Sequence, residues 1–210
     1  MLLDDMKSNV YLFYGDEPLI IKNKINYTIK DVKTSEHNVT TYDFEETKLL
    51  DIIQDASTPP FLADNKVIII KNPLFLQNED LINEQEKEGL KRYLSNPNES
   101  TVLIFDASNV KVSKSLSIVK LLMNKAEVSH TEALTDVEKG GWLRRQLQAN
   151  GITIRDDALK LFFNIVSQDL VSAQNEINKI INYIGSGGVV TSQVIRDVVT
   201  KELDKDVYSL

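Results

Sequence analysis

The sequence predicts an α/β fold: a mostly parallel five-stranded sheet with helices on both sides, followed by a small helical domain. Three observations predict it. Lys66-Val-Ile-Ile-Ile-Lys71 and Thr101-Val-Leu-Ile-Phe105 are continuous apolar runs, as strands covered on both faces require. Apolar strand runs alternate with helical patterns over about 130 residues, which calls for crossover connections in a parallel sheet. After Glu132 the strand signals stop and helical periodicity takes over.

In chain order, Val10-Tyr-Leu-Phe-Tyr14 is a short β-type run ending at Gly15. Pro18 then stands where a first helical residue tolerates it, with Asp16 and Glu17 placed to favour a helix N-terminus. Leu19, Ile20, Ile21, Ile25 and Ile29 give that helix an apolar stripe to about Val32. Asn38 to Phe44 alternates as a strand does, and Glu45 to Ala56 reads as a helix with Leu49, Ile52 and Ile53 inward. Lys66–Lys71 follows as the third strand. A charged helix is expected from Asn78 to Leu94, stopped by Asn96-Pro97-Asn98. Thr101–Phe105 is the fourth strand, Ser113 to Met123 a helix, and Ala126 to Ser129 a brief last strand.

Four helices and no strand are expected in the second part: Asp136–Asn150, Arg155–Val166, Asp169–Ile184 and Thr191–Lys201. In the third of these, Leu170, Ala173, Ile177, Ile180, Ile181 and Ile184 recur at helical spacing, with Asp169 as N-cap and Gly185 as stop. Thr191 is a second cap. The expected domains are residues 1–135 and 140–210, joined near 134–141, with the chain a fragment of something longer.

Composition narrows the function. The 210 residues contain no Cys, which removes disulfide scaffolds and Cys-based metal or redox sites and fits a reducing, cytoplasmic compartment. Met1 to Asn9 hold no apolar run of secretory length and no stretch nears the roughly 20 apolar residues of a membrane span, so a soluble, intracellular protein is expected. Net charge is −7, with 15 Lys/Arg against 21 Asp/Glu in residues 1–135 and 9 against 10 in residues 136–210. An autonomous nucleic-acid binder needs a basic patch to neutralise phosphate; here any DNA contact is expected to be weak or shared with partner subunits.

An α/β domain with a helical companion invites an ATPase reading, so the loop after the first strand matters most. A phosphate loop needs G-x-x-x-x-G-K-[ST]. This loop reads Gly15-Asp-Glu-Pro-Leu-Ile-Ile-Lys22. The second Gly, the adjacent Lys and the hydroxyl are missing, two carboxylates stand where the anion would, and Pro18 has no N–H to offer. The third strand ends in Lys71-Asn72, without the acidic pair that holds Mg²⁺ in such enzymes. Asp106 is a lone carboxylate in a turn, and His37 and His130 have no ligand spacing. No catalytic residue, cofactor or metal is expected.

Ser57-Thr-Pro-Pro-Phe-Leu-Ala-Asp-Asn-Lys66 sets Phe61 and Leu62 side by side after two prolines. Pro60 is suited to start a short helical turn that would project the pair to one side. Two readings are open. Periodicity alone favours a pair that seals the sheet edge; the other is an exposed aromatic–aliphatic anchor that plugs into a partner.

Several segments together resemble the delta subunits of the bacterial DNA polymerase III clamp loader. They are Tyr14-Gly15-Asp16-Glu17-Pro18-Leu19, Pro60-Phe61-Leu62-Ala63-Asp64-Asn65-Lys66-Val67 running into Ile68–Asn72, and Val102–Ser108. In the second part Trp142-Leu143, Asp169-Leu170, Asn175-Glu176, Lys179-Ile180 and the closing Val207-Tyr208-Ser209-Leu210 are similar to that family's pattern. Each motif is weak alone; their order and spacing are more specific.

The resemblance implies an AAA+-like module with a degenerate nucleotide site, followed by a helical lid, and lacking the family's third, collar domain. It implies a non-catalytic, non-ATPase subunit of an assembly with DNA-directed DNA polymerase activity. Such a subunit binds the sliding clamp (beta), opens or holds open the ring for loading onto primed DNA, and works beside delta-prime and tau/gamma subunits. Phe61 and Leu62 would enter the clamp, supported by Pro60, Asn65 and Lys66. The order Phe-Leu departs from the family's usual Leu-Phe or Phe-Phe, and Asn65-Lys66 stand where two basic residues are usual. The competing classes are a P-loop-type ATPase or kinase with an atypical site, and a scaffold subunit without clamp contact.

Overall fold

The computed structural model describes residues 8–166 and 169–200; the Val207–Leu210 motif, the expected end of the last helix at Lys201 and the first seven residues lie outside them. The chain divides into two compact units between Ala133 and Leu134.

In the first unit, strands β1 (Val10–Gly15), β2 (Val39–Asp43), β3 (Lys66–Lys71), β4 (Thr101–Ala107) and β5 (Glu127–Thr131) form one sheet in the order β2-β3-β4-β1-β5. Every pairing is parallel. Between the strands run helices α1 (Pro18–Asp31), α2 (Leu49–Ala56), α3 (Glu84–Ser95) and α4 (Ser117–Lys125).

Alternate residues of the central strands point to opposite faces, and each face has its own core. Leu12, Ile68, Ile70, Leu103 and Phe105 pack with Leu49, Ile52, Leu90, Leu94 and Leu122 from α2, α3 and α4. Tyr11, Phe13, Val67, Ile69, Val102 and Ile104 pack with Ile21 and Ile25 of α1 on the other side. Covering both faces is why β1, β3 and β4 read as unbroken apolar runs.

Three helices start later than the periodicity predicts. Asp43 to Glu46 forms a turn, with Glu46 N–H and Thr47 N–H both donating to the Asp43 carbonyl, so α2 starts at Leu49 rather than Glu45. The charged segment from Asn78 breaks into a 3₁₀ turn (Glu79–Leu81) and then α3, because Asn83 and Glu86 form a reciprocal capping box that fixes the start at Glu84. The chain from Ser113 stays in turns until Ser117, whose N–H and Oγ donate to the Glu79 carboxylate.

The second unit holds α5 (Asp136–Gln148), α6 (Asp156–Ile165), α7 (Leu170–Ile184) and α8 (Ser192–Val198). Thr135 caps α5 in a second capping box, and α5 starts at Asp136 as the helical pattern predicts. Asp169 accepts from Val171 N–H and Ser172 N–H, and Thr191 from Val194 N–H, as their residue types predict. Leu170, Ala173, Ile177 and Ile180 are buried, whereas Ile181 and Ile184 are only half-buried. The absence of strands is corrected here: Thr153–Ile154 (β6) pairs in parallel with Val189–Val190 (β7). Two-residue strands are too short to leave a period-2 pattern.

Candidate functional site

Two loops at opposite ends of the parallel sheet carry the sequence's functional signals. The Gly15–Pro18 loop follows β1 and lies at the carboxyl end of the strands, where open α/β sheets bind their ligands. The Ser57–Asn65 loop precedes β3 and lies at the amino end.

At the carboxyl end, Gly15 has φ +136°, and a Cβ there would stand 2.0 Å from the Thr131 carbonyl oxygen. Only glycine permits so close an approach of the chain to β5. The next amide, Asp16 N–H, donates to that carbonyl at 2.8 Å, so it is committed to the protein. Glu17 is buried at the head of α1 and Lys22 is exposed a turn further on. Asn72 Nδ2 donates to Asp43, and Asp106 Oδ1 accepts from Ser108 N–H, which makes that carboxylate a turn former. His130 is exposed on β5 and stacks on Tyr14 with ring centroids 4.6 Å apart, and His37 is exposed before β2. Among the described residues, no cluster of three or more His, Asp or Glu is placed to hold a metal.

At the amino end, Phe61 and Leu62 are exposed, at 73% and 91% of their surface. They do not seal the sheet edge. Pro60 is half-buried and Asn65 half-buried beside them, and residues 61–64 are bends, not the helical turn expected from Pro60. Leu62 has φ +49°, in the left-handed region where a bulky side chain is uncommon.

The loop beneath this pair is tied to neighbouring elements by side chains. Asn38, itself buried, accepts from Phe61 N–H at 2.9 Å and donates to the Phe61 carbonyl at 3.0 Å. Thr34 Oγ1 donates to the Asn65 carbonyl, and Asn98 Nδ2 to the Thr58 carbonyl. Lys66, expected as a polar support on the rim, is turned inward and buried. Its ammonium donates to the Asp55 carbonyl, to Asp55 Oδ1 at 2.9 Å and to Thr58 Oγ1 at 2.9 Å. A buried lysine with this many acceptors holds the loop's shape from beneath.

Tyr42 Oη completes the network by donating to Asp55 Oδ2 at 2.9 Å. Burial pushes the Asp55 carboxyl up, but hydrogen bonds from Lys66 and Tyr42 outweigh it and hold it below the usual carboxylate range. Burial, then the bond to Asp55, pushes the Tyr42 phenol up. Thr34, Asn38, Asp55 and Thr58 were missed from sequence, because partners far apart in the chain leave no periodic signal. The hint was Asn38 itself, a polar residue at a strand entrance with four hydrogen-bonding sites to satisfy.

Against this geometry, the family model described as DNA polymerase III, delta subunit, matches residues 11–132. The chain belongs to the DNA polymerase III delta-subunit family. A Bacillus subtilis (strain 168) relative, DNA polymerase III subunit delta, is 27% identical over 206 residues, covering 96% of this chain and 59% of that protein. The solved structure of the Bacillus subtilis DNA clamp loader delta protein superposes with TM-score 0.64 at 24% identity, over 96% of this chain and 63% of that one. The Thermotoga maritima RuvB Holliday junction branch migration motor is similar in fold, with TM-score 0.54 at 14% identity, over 89% of this chain and 60% of the motor. The fold is therefore AAA+-like, as the delta-subunit resemblance implies. This delta-family chain spans about three fifths of the length of the relatives it matches.

Proposed function

We propose that this chain is the clamp-gripping part of a clamp-loader delta subunit: it binds the sliding clamp (beta) through Phe61 and Leu62 and opens, or holds open, the ring for loading onto primed DNA. The observation that carries the proposal is the exposed apolar pair at the tip of a loop whose backbone is hydrogen-bonded from both sides. An aromatic–aliphatic pair held out in water loses nothing by entering a partner's pocket and gains its burial, about 2 kcal/mol for each side chain.

The chain itself does no chemistry in this reading and takes no cofactor. Energy for the loading cycle comes from partner subunits, delta-prime and tau/gamma, in the cytoplasm. The Asp16 amide's commitment to Thr131 and the acidic head of α1 support a nucleotide site that no longer binds triphosphate. No described helix is long and apolar enough to cross a membrane, which accords with a replication subunit.

The test is calorimetric titration of the chain with purified sliding clamp, with and without Mg-ATP. Saturable binding that is indifferent to nucleotide is expected. Absence of clamp binding would leave the scaffold role, and ATP-dependent binding would restore the ATPase reading.

A further inference from the structure

We propose that Asn38 is a positioning residue for the Phe61–Leu62 anchor: it holds the loop in its docking conformation before any partner arrives. The inference rests on the reading of that pair as the clamp contact and deepens it.

The side-chain amide of Asn38 pairs with both backbone groups of Phe61, donor to carbonyl and acceptor to N–H, much as a neighbouring strand would. Asn38 is itself fixed. Its N–H donates to the Ser35 carbonyl at 2.9 Å and its Nδ2 to Ser35 Oγ at 3.1 Å, and the next residue, Val39, is in register with Val67. Four residues past Phe61, the Asn65 carbonyl accepts from Thr34 Oγ1. The tip is thus closed at both ends on one segment, residues 34–38, that enters the edge strand β2.

Leu62 between those ties explains why they are needed. A leucine at φ +49° is held in a sparsely populated conformation, which persists only where the surroundings over-determine it. Without Asn38 the tip relaxes, and only the fraction of molecules with the loop correctly set binds at full affinity. Ordering a loop on binding subtracts from affinity, and a loop ordered in advance avoids that loss.

The experiment uses the full chain and purified sliding clamp. Asn38→Ala and Asn38→Asp are compared with the parent and with Phe61→Ala for clamp dissociation constant, far below the melting temperature, and for hydrogen exchange at the Phe61 amide. Asn38→Ala is expected to speed Phe61 exchange and weaken clamp binding roughly tenfold. Asn38→Asp keeps the acceptor for Phe61 N–H but sets a carboxylate oxygen against the Phe61 carbonyl, so it should weaken binding at least as much as Asn38→Ala. In a Phe61→Ala background the effect of Asn38→Ala should shrink, because the two act through one contact.

Parent-like affinity in Asn38→Ala, with Phe61→Ala impaired, would overturn the positioning role and leave the docking reading standing. Parent-like affinity in both would overturn the docking reading, and the positioning role with it. An equal loss on top of Phe61→Ala, or a lowered melting temperature with affinity unchanged, would assign Asn38 to general stability instead.

Discussion

Replacing Lys66 by Met removes a buried ammonium while keeping most of its apolar stem, and so tests whether the inward lysine holds the loop base together. The lysine side chain is 8% exposed and that of its partner Asp55 33%. The change takes one donor from each of three acceptors, the Asp55 carbonyl, Asp55 Oδ1 and Thr58 Oγ1, and leaves Thr58 as a donor to both Asp55 atoms. Hydrogen bonds to a charged group contribute about 1.5–3 kcal/mol each when buried. Asp55 can recover part of its solvation through its open third, so the sum is discounted to roughly 2–3 kcal/mol for the site. For a unit of this size that lowers the melting midpoint by roughly 8–10 °C.

The pH dependence follows from Asp55. Its folded pKa lies below the unfolded value near 3.8, so between the two the unfolded chain binds more protons and stability rises with pH. The Asp55 contribution is therefore complete above about pH 4 and is lost as pH drops through the folded value. Denaturant unfolding of parent and Lys66→Met from neutral to acid pH should show a constant gap that narrows only below about pH 4. A gap under about 1 kcal/mol at neutral pH would refute this account of Lys66, as would one that does not narrow in acid.

Two further substitutions probe the frame around the loops. Gly15→Ala forces a Cβ against the Thr131 backbone at a positive φ; a loss of about 3 kcal/mol or more, read by thermal unfolding, is expected. Thr101 is fully buried at the start of β4 and its Oγ1 has no hydrogen-bond partner among the described residues. Thr101→Val, which replaces that hydroxyl with a methyl of similar size, should raise stability by about 1 kcal/mol in the same measurement.

The sheet was legible because its signals are local and periodic. Lys66–Lys71 and Thr101–Ala107 announce themselves by β-branched residues on both faces, and Asp169 and Thr191 by cap chemistry at the expected place. Helix starts were less legible where a turn competes with periodicity. Asp43 captures the chain before α2, and the Asn83–Glu86 box overrides the charged helix expected from Asn78. The β6–β7 pair could not be read, since two residues carry no period.

The site divides the same way. Phe61 and Leu62 stood out by type and by their place after Pro59-Pro60, yet only the three-dimensional structure shows them exposed. Lys66 looked like a rim charge because sequence shows its charge and not its direction. What turns it inward is Asp55, Thr58 and Tyr42 converging on one point, a coincidence of three elements that no spacing along the chain encodes.

The most direct test of the central claim is one double variant, Phe61→Ala with Leu62→Ala, measured for both melting temperature and sliding-clamp affinity. Both side chains are mostly in water, so stability should stay within about 0.5 kcal/mol of the parent. Losing two anchors of about 2 kcal/mol each should weaken clamp binding roughly a thousandfold. A variant that melts as the parent does and no longer holds the clamp is the predicted result. A variant that binds the clamp undiminished, or that melts as if its core had been cut by about 5 kcal/mol, would contradict the account.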